Sequence, residues 1–116
     1  MGESIISILR PVVEESMTHP ENMLAYEREA LFGSVEHREE ATSSVSRVEQ
    51  AILQVMLLHR AKPRDPSAEL EDIAHAIYAV LYLDFVKVTT GRSAMADLPA
   101  RVRRSVDFLT GALLKT

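Results

Sequence analysis

Two tyrosines that stand one helical turn apart, Tyr78 and Tyr82, are the residues of this sequence best suited to binding a small molecule. Side chains four residues apart on a helix point in the same direction, and a tyrosine joins an apolar ring to a hydroxyl that can orient a ligand. Methionines would add an adaptable apolar wall, and a histidine among apolar neighbours would add a polar contact. We therefore predict a ligand site lined by Met17, Met23, Met56, His59, Tyr78 and Tyr82. Ordinary core packing is the alternative for each of them.

Asp84 is informative because it interrupts a stretch that is otherwise almost wholly apolar. A carboxylate that is buried must find a partner or become protonated. Lys87 lies within reach on the same helix, and the alternative partners are the bases of the last helix, which are Arg101, Arg103 and Arg104. A position in a ligand cavity or at a contact between two copies of the chain is the remaining possibility.

The other polar residues give little support for catalysis or metal binding. His37 and Glu40 are spaced for one helical face, but the segment is charged on every side, so a solvated helix explains it better than a metal site. The sequence has no glycine-rich phosphate loop, no nucleophile elbow, no paired His and carboxylate at catalytic spacing and no cysteine. We predict a protein that is not an enzyme and that holds no metal and no cofactor.

The element that must position these side chains is the segment 69–90, in which residues 73–88 run almost without a polar face. Asp65 and Pro66 precede it, Gly91 follows it, and no Gly or Pro interrupts it, so the pattern predicts a helix of about six turns. A helix that is apolar nearly all round must be buried nearly all round, and a short chain has few elements to cover it. We expect one face to pack on the chain's own helices and another on a second copy.

The whole pattern predicts an all-α helical bundle of about five to six helices in a single domain, residues 1–116. Before the segment 69–90 we expect helices over 4–17, 19–32 and 34–60, with Ser4 capping the first and Pro11 kinking or restarting it. The alternative for the third is a polar loop followed by a helix that starts near Ala41 or Thr42. Two prolines within 61–67 indicate an exposed connection. A last helix is expected from about Asp97 to about Leu114. Its apolar residues recur at steps of three and four, as in a helix that lies antiparallel against a neighbour.

Charge and hydropathy limit the partners and the location. The net charge is −4, and nucleic-acid binding depends mainly on neutralising phosphates, so we expect no nucleic acid to bind this chain alone. The first residues lack the basic start and long apolar run of a signal peptide, and His75, Asp84 and Lys87 break the apolar segment. We therefore expect a cytoplasmic protein without a membrane contact.

The last two predicted helices resemble a known family. Residues 69–91 have an acidic start, an apolar middle rich in small residues and a closing Gly, and residues 101–114 end in an apolar, Leu-rich turn. This arrangement resembles the last two long helices of tetracycline-repressor-type (TetR) transcriptional regulators, in which two such pairs form a four-helix dimer interface. The resemblance implies a homodimer whose interface includes Ile77, Leu81, Asp84, Val88, Val102, Val106, Leu109 and Leu113.

The resemblance also implies the function. Family members begin with a three-helix DNA-binding segment, which has no counterpart here, so the chain is expected to be the C-terminal effector-binding and dimerisation domain alone, excised or naturally shortened. It would bind a small, largely apolar effector within its helices. The alternative is a ligand-free helical module that acts by pairing with itself or with a full-length regulator. The effector and the target genes do not follow from the sequence.

Overall fold

The computed structural model describes residues 1–115, including their side chains except those of Tyr26, Glu27, Glu29, Ala30, Leu31, His37 and Ala41. Its helices are α1 (Gly2–Thr18), α2 (Pro20–Phe32), α3 (Val35–Leu58), α4 (Leu70–Thr89) and α5 (Leu98–Leu113), and a short 3-10 helix spans Met95–Asp97. The predicted all-α bundle is therefore confirmed, with five α-helices. Within the described chain, no helix is long and apolar enough to cross a membrane.

One face of α4 forms the centre of the core. Ile77, Leu81 and Phe85 are almost completely buried, and α4 packs against α3 on one side and α5 on the other. The opposite wall comes from α1, which packs on α5, α2 and α3. Fully burying an aliphatic or aromatic side chain contributes roughly 1.5–3 kcal/mol, so this cluster is the main source of stability. Its other members are Ile5, Ile6, Leu9, Val13, Ile52, Met56, Ala61, Ile73, Ala74, Val88, Leu98, Val102, Val106 and Leu114.

A pair of two-residue strands fixes the direction of α5. Lys62–Pro63 (β1) pairs antiparallel with Leu114–Lys115 (β2), and the backbone N–H of Arg64 donates to the Leu113 carbonyl at 2.9 Å. The Arg64 Nε also donates to the Gly111 carbonyl at 3.0 Å. Because these contacts hold the end of α5 beside the segment that leads into α4, the two helices run antiparallel. The strand pair was not predicted; the connection 61–67 is more ordered than its composition indicates.

The ends of α3 and α4 are closed in the same way. Arg60 has φ 54° and Gly91 has φ 76°, both in the left-handed region. The next amide donates five residues back in each case, from Ala61 to Met56 at 2.9 Å and from Arg92 to Lys87 at 2.8 Å. These are the hydrogen bonds of a Schellman cap. Gly91 was predicted as this stop, whereas the cap of α3 uses an arginine.

Two local predictions for α1 differ from the structure. Ser4 lies inside the helix, which already begins at Gly2, so it is not the capping residue. Pro11 also lies inside α1 and does not restart it, while a kink, the other predicted effect, stays a prediction. The first turn is instead attached to α5, because the Glu3 carboxylate accepts hydrogen bonds from the Arg103 guanidinium, and this contact lowers the pKa of Glu3.

Candidate functional site

A polar cluster lies where α3 meets α4. His75 Nδ1 is 2.8 Å from Glu49 Oε1, and since a carboxylate only accepts, the imidazole donates this hydrogen bond. Tyr78 follows one turn later on α4 and is half-buried against the core. Burial, and secondly the charge of Glu49, raises the pKa of the Tyr78 hydroxyl. We call Glu49, His75 and Tyr78 the α3–α4 cluster. It offers a carboxylate, an imidazole and a neutral phenol at the edge of an apolar interior.

The six residues predicted to bind a ligand occupy different environments. Met56 is completely buried in the core, whereas His59, three residues later, is exposed in the turn after α3. Met17, Met23 and Tyr78 are partly buried and pack against the core. Tyr82 is exposed to 36% and lies one turn beyond Tyr78. Tyr78 therefore belongs to the α3–α4 cluster and Tyr82 lies one turn beyond it, whereas Met56 is a core residue and His59 is exposed.

Glu49 was not identified from the sequence. It stands next to Val48 on the apolar side of α3, and its side chain is only 23% exposed. Its partner His75 is 26 residues away, so no local spacing links the two. The one available signal was an acidic residue within the apolar stripe of a one-sided helix, which indicates that a partner lies on the neighbouring element.

A second polar contact joins α4 to α5. Asp84 is 5% exposed and accepts a hydrogen bond from Ser105 Oγ at 3.0 Å. Arg101 Nε lies 3.8 Å from the same carboxylate, and this buried nitrogen has no hydrogen-bond partner within residues 1–115. The predicted pairing of Asp84 with a base of the last helix is confirmed for Arg101. Lys87 is exposed and forms no ion pair with Asp84 within residues 1–115, and Arg103 binds Glu3 instead.

Most of the residues predicted for the dimer interface are covered by the chain itself. Leu109 is partly buried, and Leu113 is exposed to 36%. The other six have relative exposures of 1–9% and face the chain's own helices; they are Ile77, Leu81, Asp84, Val88, Val102 and Val106. These six side chains are therefore covered within one chain, and the sides of α4 and α5 that stay exposed are their outer sides. The dimer itself stays a prediction.

The outer side of α4 is also apolar. Ala76, Ala79, Val80 and Val86 are partly exposed there, and Leu83 is exposed to 56%. On α5, Phe108 is exposed to 73%. It follows Ser105 by one turn, and Ser105 touches Asp84, so Phe108 lies on the side of α5 that adjoins α4. We call Ala76, Ala79, Val80, Leu83 and Val86 the outer face of α4.

The first half of α3 borders a wide, open groove of about 580 Å³, lined by Val35, Arg38, Glu39, Thr42, Ser43 and Ser46. Its side chains are exposed or nearly so, and they form no recognisable catalytic or ligating set. Among the described residues no group of three His, Asp or Glu side chains is arranged to hold a metal ion. The pairing of His37 with Glu40 lies outside the described residues.

Comparisons with known proteins return no match: no family model, no curated protein and no solved structure is similar to this chain. A function must therefore be argued from the α3–α4 cluster, the α4–α5 contact and the outer face of α4.

Proposed function

We propose that this chain is the effector-binding and dimerisation domain of a tetracycline-repressor-type transcriptional regulator and that it acts as a homodimer. The observation that carries the proposal is the outer face of α4, which is apolar although the opposite face of the same helix already forms the core. A helix with two apolar faces needs a packing partner on each of them. Antiparallel α4 and α5, each with an exposed large apolar side chain, are what one subunit contributes to a four-helix interface.

Solution mass measured by light scattering tests the homodimer. We expect a dimer for the chain and a monomer of unchanged helix content for the Leu83→Glu, Phe108→Glu double variant, because the charges would be buried unpaired at the contact. The matched control is Leu57→Glu, Phe32→Glu, which changes residues exposed to 51% and 82% on α3 and α2. This control is expected to remain a dimer. A monomeric unsubstituted chain, or a control that dissociates as readily, contradicts the proposal.

The effector site of the proposal lies along the α3–α4 cluster, with Tyr78 and Tyr82 at its opening. What supports this position is the combination of half-buried aromatic surface with a hydrogen-bonded imidazole and carboxylate, the kind of wall that orients a largely apolar molecule. In an intact regulator, the effector would favour one arrangement of the two subunits. It does so only by binding that arrangement more tightly.

A neutral naphthylamine dye, whose fluorescence rises in apolar surroundings, is a suitable probe of the site. We expect it to bind once per subunit, and Tyr78→Ala to weaken binding by about tenfold, which corresponds to about 1.4 kcal/mol. Leu24→Ala, on the exposed side of α2, is the matched control and is expected to leave binding unchanged.

One observation favours the alternative of a ligand-free dimerisation module. Met56, predicted to line the cavity, is completely buried in the core, while His59 is exposed. A dimer that binds no dye and gains no thermal stability from a panel of small apolar molecules would support this alternative over an effector-binding domain.

A further inference from the structure

The outer face of α4 is flanked by a negative charge at one end and a positive charge at the other. Asp72, Ala76, Ala79, Leu83 and Lys87 follow one another at steps of four, three, four and four residues, which places them on one line along a helix. Asp72 lies in the first turn of α4 and Lys87 in the last. The line therefore has an acid at one end, a base at the other and apolar side chains between them.

The two terminal charges are available to a partner. Both side chains are exposed, and neither takes part in an ion pair or hydrogen bond with the rest of residues 1–115. Each also has the sign that suits the dipole of its own helix end. The helix dipole alone, however, does not require that they share a line with an exposed leucine and two alanines.

We propose that a second copy of the chain docks on this face with its α4 antiparallel to the first, about a twofold axis that passes between Ala79 and Val80. This inference rests on the homodimer proposed above and specifies how its subunits meet. Asp72 and Lys87 are each 7.5 positions from the axis, so Asp72 faces the partner's Lys87 at both ends of the contact. Ala76 and Leu83 are each 3.5 positions from it, so each leucine fits over the partner's alanine.

Charge and size both disfavour the opposite orientation. If the two α4 helices ran parallel, each residue of the line would meet its own copy. Lys87 would face the partner's Lys87, and Asp72 would face the partner's Asp72. The two Leu83 side chains would clash, while the small side chains of Ala76 would leave a gap. Like charges placed opposite one another at an interface are unfavourable, and large residues pack best against small ones.

Cysteine cross-linking distinguishes the two orientations, and the chain is suited to it because it has no cysteine of its own. In the antiparallel dimer, Ala79→Cys lies beside the axis and is expected to form a disulfide-linked dimer under mild oxidation. Leu83→Cys is not expected to link to itself, because the two sulfurs would be separated by roughly 10 Å along the helix, whereas a disulfide requires Cβ atoms about 4 Å apart. Mixing Ala76→Cys with a mass-tagged Leu83→Cys is expected to give the mixed dimer.

Charge reversal gives an independent test on the chain without cysteines. We expect Asp72→Lys to raise the dimer dissociation constant about five- to tenfold, since two attractive pairs become repulsive, and the Asp72→Lys, Lys87→Asp double variant to restore most of the loss. Glu71→Lys is the matched control. It disturbs the helix dipole in the same turn but lies off the line, so it is expected to leave the dissociation constant unchanged.

The possible results separate the orientation of the subunits, the docking surface and the homodimer itself. Self-linking of Leu83→Cys, or an Asp72→Lys effect that the double variant does not rescue, would overturn the antiparallel orientation while leaving the homodimer intact. A dimer that links at none of these positions would place its contact elsewhere and overturn the docking surface. A chain that is monomeric by light scattering before any substitution would instead remove the homodimer on which this inference rests.

Discussion

At the scale of single residues, Asp84 makes the contact with the clearest energetic consequence. Asp84→Ala would leave the Ser105 hydroxyl without its buried acceptor and would remove the ion-pair partner of Arg101 Nε, which already lacks a hydrogen-bond partner within residues 1–115. We expect a loss of about 1–3 kcal/mol in the free energy of unfolding, measured with urea. Asp84→Asn retains an oxygen that accepts from Ser105 and should lose less. An Asp84→Ala variant as stable as the original chain would show that this contact contributes nothing.

Tyr78 gives the chain a dependence on alkaline pH. Burial, and secondly Glu49, raises the pKa of Tyr78, so its proton is held more tightly in the folded than in the unfolded chain. The resulting stability is complete below the unfolded pKa of about 10 and is lost as pH rises through the folded value. The free energy of unfolding, measured with urea across this pH range, is expected to fall less steeply with pH for Tyr78→Phe than for the unsubstituted chain.

Glu49→Gln separates the two causes of the raised pKa. Tyrosinate absorbance is measured for the unsubstituted chain and for Glu49→Gln, each with and without Tyr78→Phe. The difference that Tyr78→Phe makes in each background is the titration of Tyr78 alone. We expect Glu49→Gln to move that titration to lower pH but to leave it above the ordinary tyrosine value, because burial is the larger cause. A titration at the ordinary value in the unsubstituted chain would mean that the hydroxyl is solvated.

At the scale of elements, the two left-handed helix caps predict opposite effects of glycine. Arg60 adopts φ 54° at a cost that glycine does not bear, so Arg60→Gly is expected to stabilise the chain by about 0.5–1 kcal/mol. Gly91→Ala is expected to destabilise it by a similar amount. No atom lies within 4 Å of the added Cβ, so this loss would come from the backbone alone. Gly111→Ala, inside α5 and equally unobstructed, should be stabilising. Thermal unfolding of the three variants measures these differences.

The helices were predictable because each carries its own signal. Periodic apolar residues, two prolines before α4 and a glycine after it define elements without knowledge of their neighbours. The pairing of β1 with β2 was not predictable, since it joins two-residue segments about fifty positions apart through backbone atoms. The contact between Glu49 and His75 was not predictable for a similar reason, because it joins residues 26 positions apart on two different helices. The buried state of Asp84 was inferred correctly because a carboxylate inside an apolar helix is itself a local signal.

At the scale of the whole molecule, the sequence predicted packing on two faces of α4, one by the chain's own helices and one by a second copy, but it did not separate these two faces. Ile77, Leu81 and Val88 were expected at the contact between subunits and are instead buried within one chain, whereas Leu83 and Phe108 are exposed. Periodicity identifies both apolar faces of such a helix equally well. Only the packing of α3 and α5 decides which face the chain covers itself.

Since the outer face of α4 is left exposed within one chain, its proposed burial in the dimer predicts that thermal stability depends on protein concentration. In the proposed dimer only folded subunits associate, so each tenfold rise in concentration is expected to add about 1.4 kcal/mol to its unfolding free energy. For two chains of this length, the thermal midpoint would rise by about 3 °C. Leu83→Glu is expected to abolish the dependence and Leu57→Glu to preserve it, as circular dichroism at several concentrations would measure. A midpoint of the unsubstituted chain that is independent of concentration would mean that the outer face of α4 stays exposed to solvent, and the homodimer would then lack its physical basis.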